Sequence, residues 1–244
     1  MELYLTNIST WYPHKENTSI KNVLYSLSEH PVKWPDLKFV PVMQKRRLTP
    51  LAKMTLHVAE EASQNDHDVA IVFSSRHGDL HQTSKLLQEL AKDNLLSPTA
   101  FGLSVHNAAP SLFSILNNNK QPINAIAAGK DSFFMVLIDA YARLKSGVCN
   151  KILVIYSEQD LPDVYSEFAD EALLPHSLAM MVTLKPNENT VNQAIKCSFS
   201  ASSLAPIKNE TLPASIMFID WLSTKANELC LYSSHYSWVF YKNA

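Results

Sequence analysis

Glycine is scarce in this chain, which has only 4 among its 244 residues. An average protein of this length contains about 17, since glycine makes up roughly 7% of residues. A Rossmann fingerprint and a Walker loop each require several glycines within a few residues, and the sequence has neither pattern. It also lacks the G-x-S-x-G, H-E-x-x-H and C-x-x-C motifs. Nucleotide binding through these two glycine-rich loops is therefore excluded.

Cysteine, net charge and long apolar runs are limited as well. The three cysteines form no disulfide framework and lack metal-site spacing, so we expect reduced thiols, no metal and no cofactor. A formal net charge of −2 disfavours a nucleic-acid partner held by bulk electrostatics. The apolar run Phe133–Ile138 is far shorter than the roughly 20 residues of a membrane span, and Met1–Tyr4 does not resemble a signal peptide. These features predict a cytoplasmic protein without a membrane span.

Apolar strands alternate with amphipathic helices along the chain. The runs Val69–Ser74 and Lys151–Ser157 are typical of strands buried on both faces. Thr49 and Pro50 predict a helix start, with Thr49 as the N-cap residue. We predict an α/β layered domain with a mostly parallel mixed sheet. Further predictions are a surface loop over 31–50, a long helix over Lys130–Ser146, and a hairpin of the strands Ser177–Leu184 and Val191–Ser200 joined by the turn Pro186–Asn189.

Two stretches in the middle of the chain resemble a known family. Residues Ser97–Ala109 read S-P-T-A-F-G-L-S-V-H-N-A-A, and residues Pro122–Ser132 read P-I-N-A-I-A-A-G-K-D-S. They resemble the N-terminal half of the β-ketoacyl synthases, which have the thiolase fold. Supporting matches are Arg46–Ala52, Phe73–Gly78 and Pro175–Leu184. Together these stretches resemble the small ketosynthase-like proteins of bacterial aryl-polyene clusters, which are similar to the chain-length-factor subunits of type II polyketide synthases. The resemblance implies a single truncated thiolase-like domain over 1–244, without the C-terminal thiolase half.

The catalytic residues of that family are missing from their expected positions. In the family a cysteine nucleophile lies at a helix N-terminus, and counting from Pro122 and from Gly147 places Lys130 there. The nearest cysteine, Cys149, follows the far end of that helix, which is roughly 24 Å long at ~1.5 Å per residue. The family's two catalytic histidines belong to its C-terminal half, and no histidine of this chain matches them.

The resemblance therefore implies a non-catalytic subunit similar to a chain length factor. Its partner would be a full-length ketosynthase that supplies the cysteine and both histidines, and the pair would extend chains carried on an acyl carrier protein. The residues expected at the partner interface and acyl tunnel are Phe101, Leu103, Val105, His106, Asn107, Phe113, Phe133 and Phe134. For His106 the alternative is a buried histidine bonded to the backbone. For Phe133 and Phe134 it is core packing.

Two other functions are left open by the sequence. The first is a stand-alone enzyme that processes acyl groups or decarboxylates malonyl groups, which needs a desolvated Lys130. Otherwise Lys130 forms an ion pair, for which the adjacent Asp131 is available. The second is an acyl-binding homodimer without chemistry and without a ketosynthase partner.

Two charged clusters have both a functional and a structural interpretation. His77 and His81 have the spacing of a helical metal pair. Gly78 interrupts the first turn and no third ligand is nearby, which favours a capping or interface loop. Arg46 and Arg47 either dock the acidic face of an acyl carrier protein or lie on a solvated surface.

Overall fold

The structure, a computed structural model, describes residues 1–13, 20, 32–186, 194–201, 212–233 and 236–242. Within these residues one sheet contains the strands β1 (Glu2–Trp11), β2 (Ala70–Ser74), β3 (Ile123–Ile126), β4 (Ile152–Glu158), β5 (His176–Thr183), β6 (Ile195–Ala201), β7 (Glu228–Tyr232) and β8 (Tyr236–Lys242). The order of the strands in the sheet is β3-β2-β4-β5-β1-β6-β8-β7.

Helices cover both faces of this sheet. They are α1 (Val42–Lys45), α2 (Pro50–Ser63), α3 (Leu80–Leu90), α4 (Pro98–Ser104), α5 (Ala108–Leu116), α6 (Ser132–Lys145) and α7 (Ala214–Ser223), with 3-10 turns at Gly129–Asp131 and Asp163–Phe168. Among the described residues, no helix has both the length and the apolar character needed to cross a lipid bilayer.

Side chains of β2 and β4 alternate between two hydrophobic cores. Val72 and Val154 pack in one core with α6 and α7, whereas Phe73 and Ile155 pack in the other with α2 and α5. Every residue of both strands is buried, which confirms the prediction made from their continuous apolar runs. The start of α2 is also as predicted, since the side chain of Thr49 accepts a hydrogen bond from the backbone N–H of Ala52.

The predicted mixed α/β sheet is confirmed, but the prediction that it is mostly parallel is wrong. Strand β2 pairs in parallel with β3 and β4. The other described pairings are antiparallel. The reason is the position of β1, which inserts between β5 and β6, and the antiparallel arrangement of β6, β7 and β8. Apolar periodicity reports burial and does not report strand direction.

The predicted hairpin and surface loop also need correction. Strands β5 and β6 are separated by β1, which pairs with both, so the two do not form a hairpin. Residues 187–193, which include most of the predicted turn and the start of the second predicted strand, lie outside the described residues. In the described part of 31–50, Leu37, Val40 and Leu48 are buried and α1 forms, so this segment packs on the core as well as running over the surface.

The carboxyl ends of β2, β3 and β4 meet at one edge of the sheet. The loop Ser75–Gly78 follows β2, the turn Gly129–Asp131 follows β3, and a segment over 159–175, called the strap below, follows β4. In sheets with parallel strands, ligands commonly bind beyond these carboxyl ends. This edge is therefore the candidate site.

Candidate functional site

Lys130 lies in the turn between β3 and α6 and forms an ion pair with the strap. Its Nζ is 3.3 Å from Oδ2 of Asp170 and donates a hydrogen bond to the Asp170 carbonyl oxygen at 3.1 Å. The Lys130 side chain is 51% exposed. An amine becomes a nucleophile when burial removes its proton, and this environment is exposed and provides a counter-ion. The structure therefore shows the ion-paired alternative, with Asp170 as a partner, and Asp131 is the N-cap residue of α6.

Arg76 binds the same carboxylate through two nitrogens. Its Nη1 and Nη2 lie 2.9 and 3.0 Å from the two carboxylate oxygens of Asp170, and Nη1 lies 2.7 Å from Oε1 of Glu171. Such a fork is among the strongest arrangements for a charged hydrogen bond. The hydrogen bonds from Arg76, with a smaller contribution from Lys130, lower the pKa of Asp170 to about 2. The strap is thus fastened to the ends of β2 and β3.

The loop that carries Arg76 is fixed by a buried carboxylate. Glu158, at the end of β4, accepts a hydrogen bond from the backbone N–H of Arg76 at 2.6 Å, and its other oxygen is 3.1 Å from Nδ1 of His77. The hydroxyl of Ser75 accepts a hydrogen bond from the backbone N–H of Gly78 at 2.8 Å. These bonds fix the backbone of the loop, so the direction of Arg76 is set by β4 as well as by β2.

His77 and His81 have separate partners. His77 faces Glu158, whereas Nε2 of His81 donates to the carbonyl oxygen of Asp160 at 2.9 Å. Among the described residues, no group of three or more histidine, cysteine and carboxylate side chains is arranged to hold a metal ion. The two histidines support the loop and the strap, as the loop interpretation expects.

His106 is half-buried and bonded to the backbone. Its Nε2 donates to the carbonyl oxygen of Ser75 at 3.0 Å, and its ring packs edge-on against Phe73. The alternative of a histidine satisfied by backbone hydrogen bonds is therefore what the structure shows. The same bond ties the segment after α4 to the Ser75–Gly78 loop.

Five of the expected interface residues are brought together at the end of α4. Phe101 is 59% exposed, Val105 and Asn107 are exposed, and Leu103 and His106 are half-buried. This grouping leaves two large apolar side chains in contact with solvent at one place on the surface. Such a patch is typical of a site that another molecule covers.

Three of the expected interface residues are core residues instead. Phe113 is fully buried against α2 and the sheet. Phe133 contacts the rings of Phe134, Tyr156 and Phe218, and Phe134 stacks on Trp238 at 5.1 Å. These three rings fill the interior of this chain, so the expectation that they contact a partner is wrong.

Among the described residues around Lys130, neither a thiol nor a free hydroxyl takes the position that the resemblance gives to the nucleophile. Ser132 is buried, donates to the carbonyl oxygen of Gly129 at 2.7 Å and accepts from the backbone N–H of Ala128 at 2.9 Å, so its hydroxyl stabilises the turn. Cys149 lies beyond the other end of α6, a helix of 14 residues and about 21 Å. Burial raises the pKa of the Cys149 thiol, which disfavours the reactive thiolate.

The sequence pattern indicated neither the strap residues Asp170 and Glu171 nor the buried contact between His176 and Ser215. Asp170 and Glu171 belong to an acidic string after β4, which was the available signal. His176 is fully buried, with Nδ1 donating to the carbonyl oxygen of Leu174 and Nε2 lying 2.8 Å from the hydroxyl of Ser215. Burial lowers the pKa of His176, so the ring is neutral and accepts the Ser215 proton.

Solved structures that this chain resembles include ketosynthases and their complexes. A ketosynthase (ApeO) in complex with its chain length factor (ApeC) from Xenorhabdus doucetiae matches with a TM-score of 0.77 at 21% identity, over 99% of this chain and 100% of the matched chain. A type II acyl-carrier protein in complex with its ketosynthase (AntDE:AntF) matches with a TM-score of 0.67 at 9% identity, over 99% of each chain. Ketosynthase twelve of the Bacillus amyloliquefaciens bacillaene synthase matches with a TM-score of 0.55 at 12% identity, over 83% of this chain and 45% of that one.

These likenesses define the class of fold, and the sequence defines the family. The fold is the thiolase-like ketosynthase fold, which confirms the prediction from the resemblance. The chain belongs to the family of the β-ketoacyl synthase N-terminal domain, whose model matches residues 19–240. No curated protein matches the sequence.

Proposed function

We propose that this protein is a non-catalytic partner subunit of a full-length ketosynthase, similar to a chain length factor. The observation that carries the proposal is the ion pair of Lys130 with Asp170, because the resemblance places Lys130 at the position of the family's nucleophile. A subunit that lacks the family's catalytic cysteine and its two catalytic histidines contributes shape to a shared site, while the partner contributes chemistry. Residues 1–244 act as one ketosynthase-like domain in this proposal.

The surface around α4 supports a partner interface. Phe101 and Val105 are exposed there, and Leu87, Leu90 and Leu95 on and after α3 are exposed too. Strand β3 lies at one edge of the sheet formed by the described residues, and its side chains are half-buried. Exposed apolar side chains and an edge strand are both stabilised when another chain covers them.

The same surface supports a role in limiting chain length. In the proposed heterodimer, Phe101, Leu103 and Val105 close the far end of the partner's acyl tunnel, with His106 and Asn107 at its rim. The growing chain, extended with malonyl units, stops where it meets these side chains. The products are polyene or fatty-acid-like chains, and the pair works in the cytoplasm.

An acyl carrier protein delivers the substrate to the pair. Arg46 and Arg47 are exposed beside the exposed side chains of Val42 and Met43 on α1. Two cations next to two apolar side chains suit the acidic face of a carrier protein. The likeness to a ketosynthase solved with its carrier protein supports this partner class.

Co-expression with the neighbouring full-length ketosynthase tests the proposal. A tag on this chain should recover a complex with equal amounts of both chains, and malonyl units should be condensed only when both are present. Phe101→Ala should lengthen or broaden the product distribution, whereas Val148→Ala, an exposed apolar change beyond the opposite end of α6, should leave it unchanged. A ketosynthase that elongates equally well alone, or a product length unaffected by Phe101→Ala, contradicts it.

A further inference from the structure

Two cations of the candidate site converge on one carboxylate of the same chain. The guanidinium of Arg76 holds both oxygens of Asp170 at 2.9 and 3.0 Å, and Nζ of Lys130 is 3.3 Å from one of them. A planar fork with a second cation beside it is the geometry that proteins use to bind carboxylates and phosphates. Here the occupant is a side chain of the strap.

The two acids that contact Arg76 differ in how tightly the fold holds them. The Glu171 side chain is only 10% exposed, whereas that of Asp170 is 47% exposed. Asp170 also lies on a stretch without helix or strand, between the 3-10 turn of the strap and β5. Glu171 is therefore the fixed partner of Arg76, and Asp170 is the partner that another anion can replace.

We propose that Arg76 and Lys130 form a binding site for the carboxylate or phosphate group of a carrier-bound substrate, and that Asp170 occupies this site until the substrate displaces it. The site lies at the carboxyl edge of β2 and β3, in front of α6. The naming of the substrate rests on the proposed function, but the anion site itself does not. The malonyl carboxylate and the phosphate of the carrier's pantetheine arm share the required chemistry.

In the wild-type chain, Asp170 competes with free anions for Arg76 and Lys130. A tethered group acts at an effective concentration of about a millimolar or more, so free anions should bind weakly while Asp170 is present. Asp170→Asn keeps the size of the side chain and removes its charge. Glu171 then remains in contact with Arg76, and the charge of Asp170 no longer offsets the two cations.

Calorimetric titration of the full chain with malonate and with inorganic phosphate tests the site. We expect Asp170→Asn to bind at least one of them about tenfold more tightly than the wild type, and the tighter anion identifies the source. Adding Lys130→Met to Asp170→Asn should abolish the gain. Asp163→Asn is the matched control, since Asp163 is an exposed acid of the strap that the structure places in no contact with either cation.

The proposal is overturned if Asp170→Asn binds neither anion more tightly than the wild type, or if the gain survives Lys130→Met. Hydrogen exchange on the unmodified chain gives a second measurement that does not depend on a variant that folds. Malonate or phosphate should raise exchange of residues 169–174 more than chloride does at equal ionic strength, and equal effects also overturn it. Both measurements use this chain alone. A negative result would therefore reject the anion site without rejecting the proposed complex with a ketosynthase, which co-expression tests separately.

Discussion

His106 donates a hydrogen bond from Nε2 to the carbonyl oxygen of Ser75 across 3.0 Å. A carbonyl oxygen only accepts, so the imidazole carries its proton on Nε2. The same ring lies against Gly78, where an added Cβ would come within 3.1 Å of the ring carbon Cδ2. His106 thus supports the loop that carries Arg76, whose side chain contacts the strap.

Gly78 gives the first prediction. Its φ of +60° lies in the left-handed region, which costs other residues about 1–2 kcal/mol. Gly78→Ala should therefore lower the free energy of unfolding by about 1–2 kcal/mol from backbone strain, with an added steric cost from His106. In the double variant with His106→Ala the steric cost disappears while the strain persists. Urea unfolding of the four proteins measures this, and strictly additive losses contradict the contact.

Asp170 gives a prediction about pH. Its pKa in the folded chain is about 2, below the ordinary 3.8, because Arg76 and Lys130 bind the charged form. A lowered pKa stabilises the fold above the ordinary value, and this stabilisation is lost as the pH falls from 3.8 towards 2. The melting temperature of the wild type should exceed that of Asp170→Asn at neutral pH, and the two should converge on acidification. A constant difference over this range is the contrary result.

His176 predicts a loss of stability at higher pH values than Asp170 does. Burial lowers its pKa below the ordinary 6.5, so the unfolded chain takes up a proton more readily than the folded chain. The free energy of unfolding should therefore fall as the pH drops below 6.5. His176→Asn keeps a donor towards Leu174 and does not titrate, so its stability should depend less on pH. Urea unfolding between about pH 8 and pH 5 checks this, and equal slopes for both proteins speak against it.

Alanine variants of Phe133 and Phe101 should distinguish a core side chain from a surface side chain. Phe133 is fully buried among three other aromatic rings, so Phe133→Ala should cost about 3–5 kcal/mol of stability. Phe101 is exposed, so Phe101→Ala should change stability by no more than about 0.5 kcal/mol. Thermal and urea unfolding of the two variants measure the difference. A large loss for Phe101→Ala would mean that this side chain belongs to the core.

Most elements of the fold could be predicted from local pattern, but their neighbours in the sheet could not. The apolar runs of β2 and β4 and the N-cap Thr49 carry local signals, and the structure contains those elements. Strands β5 and β6 are also present, yet their predicted pairing is wrong because β1 comes from the other end of the sequence. The pairing of strands depends on contacts between residues that are far apart in the sequence, and a local pattern does not report these contacts.

The candidate site shows the same division. The position of Lys130 ahead of α6 follows from local counting, and the structure has it there. Its partner Asp170 is 40 residues away on a segment without periodicity, so no spacing rule indicates the contact. The resemblance predicts Phe133 and Phe134 at the partner interface and acyl tunnel, but the apolar character of their helix is equally typical of a core.

The place of β1 in the sheet bears on the order in which the chain folds. Tyr4 pairs with Thr183 on one side and Lys196 on the other, so the first strand gains its neighbours only after some 180 later residues have been made. The parallel strands and the helices α2 to α6 lie within residues 50–158 and can assemble before that. Leu3 and Leu5 are fully buried in the folded chain, but they stay exposed until β5 and β6 are available to pair with β1. Such distant contacts form slowly, so we expect β1 to be inserted late, and newly made chains to aggregate through it when β5 and β6 are delayed.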